Sequence, residues 1–483
     1  MTRFEGSRRN PARCVPVLCL VLCLLACREA EVPRGATAAA GAPNIVLVVV
    51  DTLRADHLSL YGYPRATSPH LDRIAQRAAV FDRAYSVISH TLPAHVSLMT
   101  GIHPTGHQVL SNGWRYEGPF PTLAERLREA GYATAGFVSG LPLDAESGMA
   151  RGFEVYRDTR DWRGRRRGKI PGTDVTRAAQ RWLADTARAP FFLFLHYYDV
   201  HPPYLRAEGA EFPFQVDATL RSVVDARGVA DAAMESISYA PVTLDDRPLG
   251  LVEAINTYDN EIHHVDAMIQ ELIDALAERG ALDSTWLVVT SDHGEGLGEH
   301  GYYQHGLYLY EEQLHVPLLV RNFGDAGPGR RVAVPVTLLD VCATLAEVAG
   351  LSPDPRLQGA SLLAVMRGAA EPAERWLLAQ RRFFSQDVAL QRGRFAARDP
   401  LFAVLGTGPA KLVWSGAGPP ELYDLSADPR ESENLASARP EELQRLLDVL
   451  HELRRRYATD APMPDTSVEP ELREQLEALG YLP

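Results

Sequence analysis

Five uninterrupted apolar runs punctuate the chain: NIVLVVV (44–50), ATAGFV (133–138), FFLFLH (191–196), TWLVVT (285–290) and VPLLV (316–320). Runs without polar alternation suit strands buried on both faces of a parallel sheet. Between them the period changes to that of helices. Ser68-Pro69 reads as an N-cap followed by proline at the first helical position, and Thr122 with Glu125 as a capping box on a helix that Gly131 ends. From 252 to 278, Val252, Ile255, Ile262, Val265, Ile269, Leu272 and Leu276 repeat at helical spacing and predict one long amphipathic helix. Strand and helix in alternation predict an α/β sandwich with a large, mostly parallel sheet between helices. Beyond about residue 370 the texture shifts. RFAARDP, KLVWSG and ELYDL read as short antiparallel strands and 440–456 as a helix, which together predict a small C-terminal α+β subdomain. The expected organisation is a leader (1–27), a tether (28–43), a catalytic domain (44–372) and this subdomain (373–483).

The leader changes the picture of where the chain works. Arg3, Arg8, Arg9 and Arg13 precede an apolar stretch from Cys14 to Ala26, the layout of an export signal. It ends LLAC, which resembles a bacterial lipobox and implies cleavage before Cys27 and lipidation of its thiol; the alternatives are an ordinary cleaved signal and an uncleaved anchor. The expectation is an exported lipoprotein of the bacterial cell envelope that meets the membrane only through its lipid anchor. Four of the five cysteines lie in this leader, so Cys342 has no partner for an internal disulfide. A net charge of −13 argues against nucleic-acid binding, which needs a basic face. The run Arg163–Lys169 reads as a solvated loop, with a polyanion-binding surface as the alternative.

Open parallel sheets bind ligands beyond the carboxyl ends of their strands. Here NIVLVVV runs into Asp51, TWLVVT into Asp292 and His293, and FFLFLH into Asp199 and His201. Acids and histidines at three such ends predict a metal site, and carboxylates with imidazole suit Zn²⁺ or Mn²⁺ better than Ca²⁺. Thr91 is the candidate fourth ligand. Metal coordination would favour its alkoxide, and a helix start at Thr91 would welcome an anion. The plainer alternative is Thr91 as a helix N-cap. Asp259 and His263, spaced i, i+4, are read either as ligands of a second metal or as a surface pair on a helix. Glu295, Glu299 and His300 are expected to shape their loop, and His57, His70, His103 and His107 to pack or hydrogen-bond.

The segments NIVLVVVDTLRADHLSLYGY, TLPAHVSLMTG, PFFLFLHYYDVHPPY, SDHGEGLGEHGYYQHG and ELYDLSADPRESENLA together resemble the sulfatase branch of the alkaline phosphatase superfamily over about residues 44–435. Thr91–Gly101 matches the spacing of the sulfatase signature C/S-x-P-x-R-x-x-L-x-T-G. The resemblance implies an alkaline-phosphatase-like fold and ester hydrolysis at a metal centre. The departures are informative. Sulfatases oxidise the motif cysteine or serine to formylglycine, and threonine cannot give that aldehyde. His95 replaces the motif arginine, Thr52 replaces a second aspartate, and Asp292-His293 replaces an acid-amide pair. Asp, Thr, Asp and His in this order are similar to the zinc site of the phosphodiesterase and phosphoethanolamine-transferase branches, where threonine is the nucleophile. Carried over, Asp51, Thr91, Asp292 and His293 would bind one metal, with His305 and His201 facing the transferred group or His305 joining a second metal.

The expected function is metal-dependent hydrolysis of small-molecule, glycan or lipid esters through Thr91, on phosphate mono- or diesters before sulfate, with one or two ions of Zn²⁺ (alternatively Mn²⁺ or Ca²⁺). His95 or His201 would assist the leaving group or hold a substrate oxygen. The alternatives are a sulfuric ester hydrolase without formylglycine, a phosphoethanolamine-type transferase, and a non-catalytic binding protein. The transferases usually carry several membrane spans, which favours hydrolysis here.

Overall fold

The computed structural model describes residues 41–161, 169–185, 188–207, 209–227, 242–384, 400–416, 418–464, 466–468 and 470–478. The leader, its Cys27 and the strand expected at RFAARDP (394–400, save Pro400) lie outside them. The central sheet takes strands β1 (Asn44–Val50), β2 (Ala79–Phe81), β3 (Ala133–Val138), β4 (Val155–Arg157), β5 (Phe191–Tyr197), β6 (Thr285–Thr290), β7 (Leu318–Asn322) and β8 (Arg330–Val332). Their order is β8-β2-β7-β6-β1-β5-β3-β4. β1 lies at the centre, parallel to β5 on one side and to β6 on the other. β7 alone runs against its neighbours, antiparallel to both β6 and β2. The run VPLLV was expected in the parallel set; Pro317, which has no N–H for a ladder, separates it from Val316, and Leu318 onward returns along β6.

Side-chain parity divides β1 between two cores. Val46, Val48 and Val50 face α4 (Gly172–Asp185) and α5 (Leu251–Glu278). Ile45, Leu47 and Val49 face α2 (Thr91–Thr100), α3 (Leu123–Glu129) and α6 (Leu338–Val348). Each aliphatic side chain so enclosed contributes roughly 1.5–3 kcal/mol of hydrophobic stabilisation. α5 buries Ile255, Ile262, Val265, Ile269, Leu272 and Leu276, the stripe its spacing predicts. The capping box forms, with Thr122 N donating to Glu125 Oε2 at 2.8 Å and Glu125 N to Thr122 Oγ1 at 3.1 Å. Ser68 stands at the N-cap of α1 (Pro69–Ala75), but its hydroxyl donates to Asp72 at 3.2 Å and accepts no amide of the helix's first turn.

A second sheet follows, an antiparallel meander of β9 (Trp376–Gln380), β10 (Leu401–Gly406), β11 (Ala410–Ser415) and β12 (Glu421–Asp424). Both its faces are covered. Leu378, Phe402, Val404, Leu412 and Leu422 pack under α7 (Pro440–Tyr457). Leu377, Ala379, Leu401, Ala403 and Leu405 pack against Tyr302, Leu307, Tyr308, Leu309 and Tyr310 of the central part. Lys411, fully buried, ties the sheet down through Glu311 at 2.9 Å and Glu431 at 2.8 Å. Among the described residues no helix is long and apolar enough to cross a membrane.

Candidate metal centre

The strand ends converge as parallel-sheet geometry requires. Asp51 continues the ladder one residue past β1, its N–H donating to Tyr197 O at 2.8 Å. The next residue, Thr52, is forced to φ = 59°, a left-handed conformation rare for a β-branched residue and worth about 1–3 kcal/mol of strain. That turn aims the Thr52 amide at Asp292 Oδ1 (3.2 Å) and folds its hydroxyl onto Asp51 O (2.7 Å). Thr52, at the place of a second acid, therefore contributes a backbone donor and no ligand. Asp292 Oδ1 also receives the His293 amide at 2.9 Å.

These bonds leave three ligand atoms over. Asp51 Oδ1, Asp292 Oδ2 and His293 Nε2 are buried without hydrogen-bond partners. Ligand atoms of Asp51, Asp292 and His293 all lie within 4.8 Å of one another. Three converging orphan acceptors in a dry site are costly unless something binds them. Two carboxylates and an imidazole fit a divalent cation. Thr91 is the first residue of α2, with His90 at the N-cap, and its side chain hydrogen-bonds Asp51. Burial raises the Asp51 carboxyl to about 7, against the pull of the His293 charge and the Thr91 hydrogen bond. Burial raises Glu295 to about 8.

A second group, His95, His196 and Asp292, backs the first. His95 Nδ1 lies 2.8 Å from Thr91 O and 3.8 Å from Asp292 Oδ2, and His196 Nε2 lies 3.1 Å from Asp51 Oδ2. Both rings are buried, and burial lowers them to about 3 and about 4. These nitrogens hold the turn that carries Thr91 and the Asp51 carboxylate, while His95 Nε2 and His196 Nδ1 are buried without a hydrogen-bond partner. His196 is a residue the sequence reading passed over. Its signal was parity: it shares the face of Phe192 and Phe194, towards α2.

His305 reaches the site, its ring 4.4 Å from that of His293 and 5.0 Å from that of His201. Its Nδ1 lies 3.2 Å from Glu295 Oε1, so Glu295 does more than shape its loop. His201 stacks on Tyr198 at 4.2 Å. Its Nδ1 bonds Pro202 O and its Nε2 takes Tyr198 O–H at 3.1 Å, which occupies both nitrogens expected to serve the leaving group. Asp199 belongs to neither ligand group and accepts the Gly172 amide at 2.9 Å.

Asp259, His263 and His305 are not brought together. Both Asp259 oxygens are taken, Oδ1 by His57 at 2.8 Å and Oδ2 by Arg65 at 2.8 Å and Tyr63 at 2.9 Å. Asp259 is fully buried, so the pair is not a surface pair either. His57, His103 and His107 each hydrogen-bond within the fold. In the Arg-rich run, residues 163–168 lie outside the described ones, but Lys169 is no solvated loop residue. It is buried and its Nζ donates to His201 O at 3.0 Å.

Asn112 and Arg382 carried no sequence signal. Asn112 Oδ1 accepts the Leu92 amide in the first turn of α2 at 2.8 Å, and its Nδ2 is buried with no partner. Arg382, just after β9, places Nη1 3.4 Å from His90 Nε2.

Comparison with known proteins identifies the family. Residues 43–351 match the family described as Sulfatase, and 298–456 that described as N-sulphoglucosamine sulphohydrolase, C-terminal. The chain is 28% identical over 440 residues to a choline-sulfatase of Rhizobium meliloti, covering 82% of this chain and 83% of that one. It is 25% identical over 473 residues to a multifunctional alkaline phosphatase superfamily protein of Trinickia caryophylli, covering 81% and 91%. The phosphonate monoester hydrolase of Agrobacterium radiobacter superposes with a TM-score of 0.66 at 23% identity, over 86% of this chain and 96% of that one. The chain belongs to the sulfatase family of the alkaline phosphatase superfamily, a family of ester hydrolases.

Proposed function

We propose that the protein is a metal-dependent phosphoester hydrolase in which Thr91 is the nucleophile and formylglycine plays no part. One observation carries the reading: Thr91 opens α2 with its hydroxyl on Asp51, beside three buried, unpartnered ligand atoms. Asp51, Thr91, Asp292 and His293 would hold the cation, for which the mixed oxygen and nitrogen donors favour Zn²⁺ over Mn²⁺ and Ca²⁺. Such a cation supplies Lewis acidity, which makes the Thr91 alkoxide accessible at neutral pH. The Thr91 proton leaves along its hydrogen bond to Asp51, and Oγ1 attacks phosphorus in line. An Oγ1–P bond forms as the bond to the leaving oxygen breaks, and that oxygen takes a proton from solvent. Water then attacks phosphorus, the Oγ1–P bond breaks, Oγ1 takes its proton back from Asp51, and phosphate is released. Asn112 Nδ2 donates to one phosphoryl oxygen and His305 faces another. The LLAC leader supports reading the protein as exported and anchored through Cys27.

The test is metal content of the purified enzyme beside rates on aryl phosphate, aryl phosphodiester and aryl sulfate. Zinc or manganese, with phosphoester turnover lost in Thr91→Ala and partly kept in Thr91→Ser, is expected. Calcium with turnover of sulfate alone would overturn the reading.

A further inference from the structure

We infer that Arg382, delivered by the C-terminal sheet, is a substrate-binding residue for the third phosphoryl oxygen, and that it selects phosphate monoesters over diesters. The inference deepens the phosphoester reading above and rests on it.

The backbone places Arg382. Gln380 N donates to Val87 O at 2.9 Å and Phe383 N to Leu110 O at 3.0 Å. Val87 stands four residues before Thr91 and Leu110 two before Asn112. The segment is thus stitched across the two stretches that lead to the nucleophile and to the amide donor beside it. The side chain is then steered. Gly306, next to His305, has φ = 91°, and a Cβ there would meet Arg382 Cδ at 3.0 Å and Nε at 3.1 Å. Glycine lets the arginine pass against this backbone. The guanidinium rests on the Phe384 ring at 4.2 Å, with Nη1 at 3.4 Å from His90, the residue before Thr91. It is about nine-tenths buried. Lys169, another buried cation of this region, is directed to His201 O and lies among Asp199 and Glu261.

A guanidinium gains most where the oxygen it meets carries charge, and its planar fork fixes the direction of approach. A monoester brings three non-bridging oxygens and two charges. With one oxygen addressed by the cation the ligands would hold and one by Asn112, the third, the one His305 faces, falls to Arg382, whose side chain passes Gly306 beside His305. In a diester that third oxygen carries an organic group and no charge.

The experiment compares wild type with Arg382→Gln and Arg382→Lys at equal metal loading, on an aryl phosphate and its methyl aryl diester, with orthophosphate as inhibitor. In Arg382→Gln, kcat/KM on the monoester should fall about 10- to 100-fold, the span of a charged hydrogen bond. The inhibition constant of orthophosphate should rise in parallel, and the diester should change less than about threefold. Arg382→Lys, which keeps the charge and loses the fork, should fall between and covers the case in which the glutamine variant does not fold. An equal loss on both esters, or none on the monoester, overturns the inference alone. Wild type without phosphoester turnover overturns the function reading and this inference with it.

Discussion

His300 lies in the loop that follows Asp292-His293, and its charge state ties that loop to the C-terminal part. Its Nδ1 lies 2.8 Å from Glu312 Oε1 and its ring stacks on Tyr310 at 3.8 Å. Nε2 faces Glu431 O at 3.4 Å. Burial alone would lower this imidazole, but the charge and hydrogen bond of Glu312, joined by the charge and backbone carbonyl of Glu431, outweigh it and raise it to about 9. An unfolded histidine titrates near about 6.5, and each decade of proton affinity is worth about 1.36 kcal/mol, so the difference is worth about 3 kcal/mol. Because the folded value lies above the unfolded one, this stabilisation is complete below about pH 6.5 and disappears as pH rises through about 9. His300→Gln removes the charge and keeps a polar side chain. Urea unfolding of both proteins at about pH 6, 8 and 10, at constant metal, isolates the contribution from other titrating groups. The stability difference should be largest at the lowest pH and shrink by about 3 kcal/mol by the highest. A difference that stays flat, or grows with pH, would refute the reasoning.

Asn112→Ala should lower kcat on phosphoesters by about 10²–10³ with metal content unchanged, as for a lost oxyanion donor; retention of wild-type kcat would remove Asn112 from the site. His196→Ala, which removes the imidazole from Asp51 Oδ2, should weaken zinc binding about 10- to 100-fold in competition with a chelator. Unchanged affinity would show that Asp51 needs no such support. Thr122→Ala breaks the capping box of α3 and should cost about 1 kcal/mol, read as a lower Tm; an unchanged Tm would mean the box adds nothing to the fold.

Strands buried on both faces announce themselves, which is why β1, β3, β5 and β6 could be read from apolar runs alone. Apolarity has no direction, however, and β7 runs against the pattern its composition suggested. β2 and β8, at three residues each, are too short to show a period. At the site, Asp51, Asp292 and His293 were legible because they directly follow strands, where the sheet itself decides their position. The spacing of Asp259 and His263 was legible too, yet it reveals only that they share a helix face. What meets that face, His57 and Arg65, comes from some 200 residues away. Asn112 and Arg382 are invisible for the same reason: loop paths and inter-sheet hydrogen bonds place them, and no local pattern encodes those.

The C-terminal sheet has no solvent side to spare, and this governs how the protein could be cut or recombined. A chain ending before Trp376 would uncover Tyr302, Tyr308 and Tyr310 and take Lys411 away from Glu311. The seam suggested by composition near residue 372 is therefore a poor crossover point. A chimera that imports a foreign tail must bring its own version of residues 302–314, because those residues and the tail form a single interior.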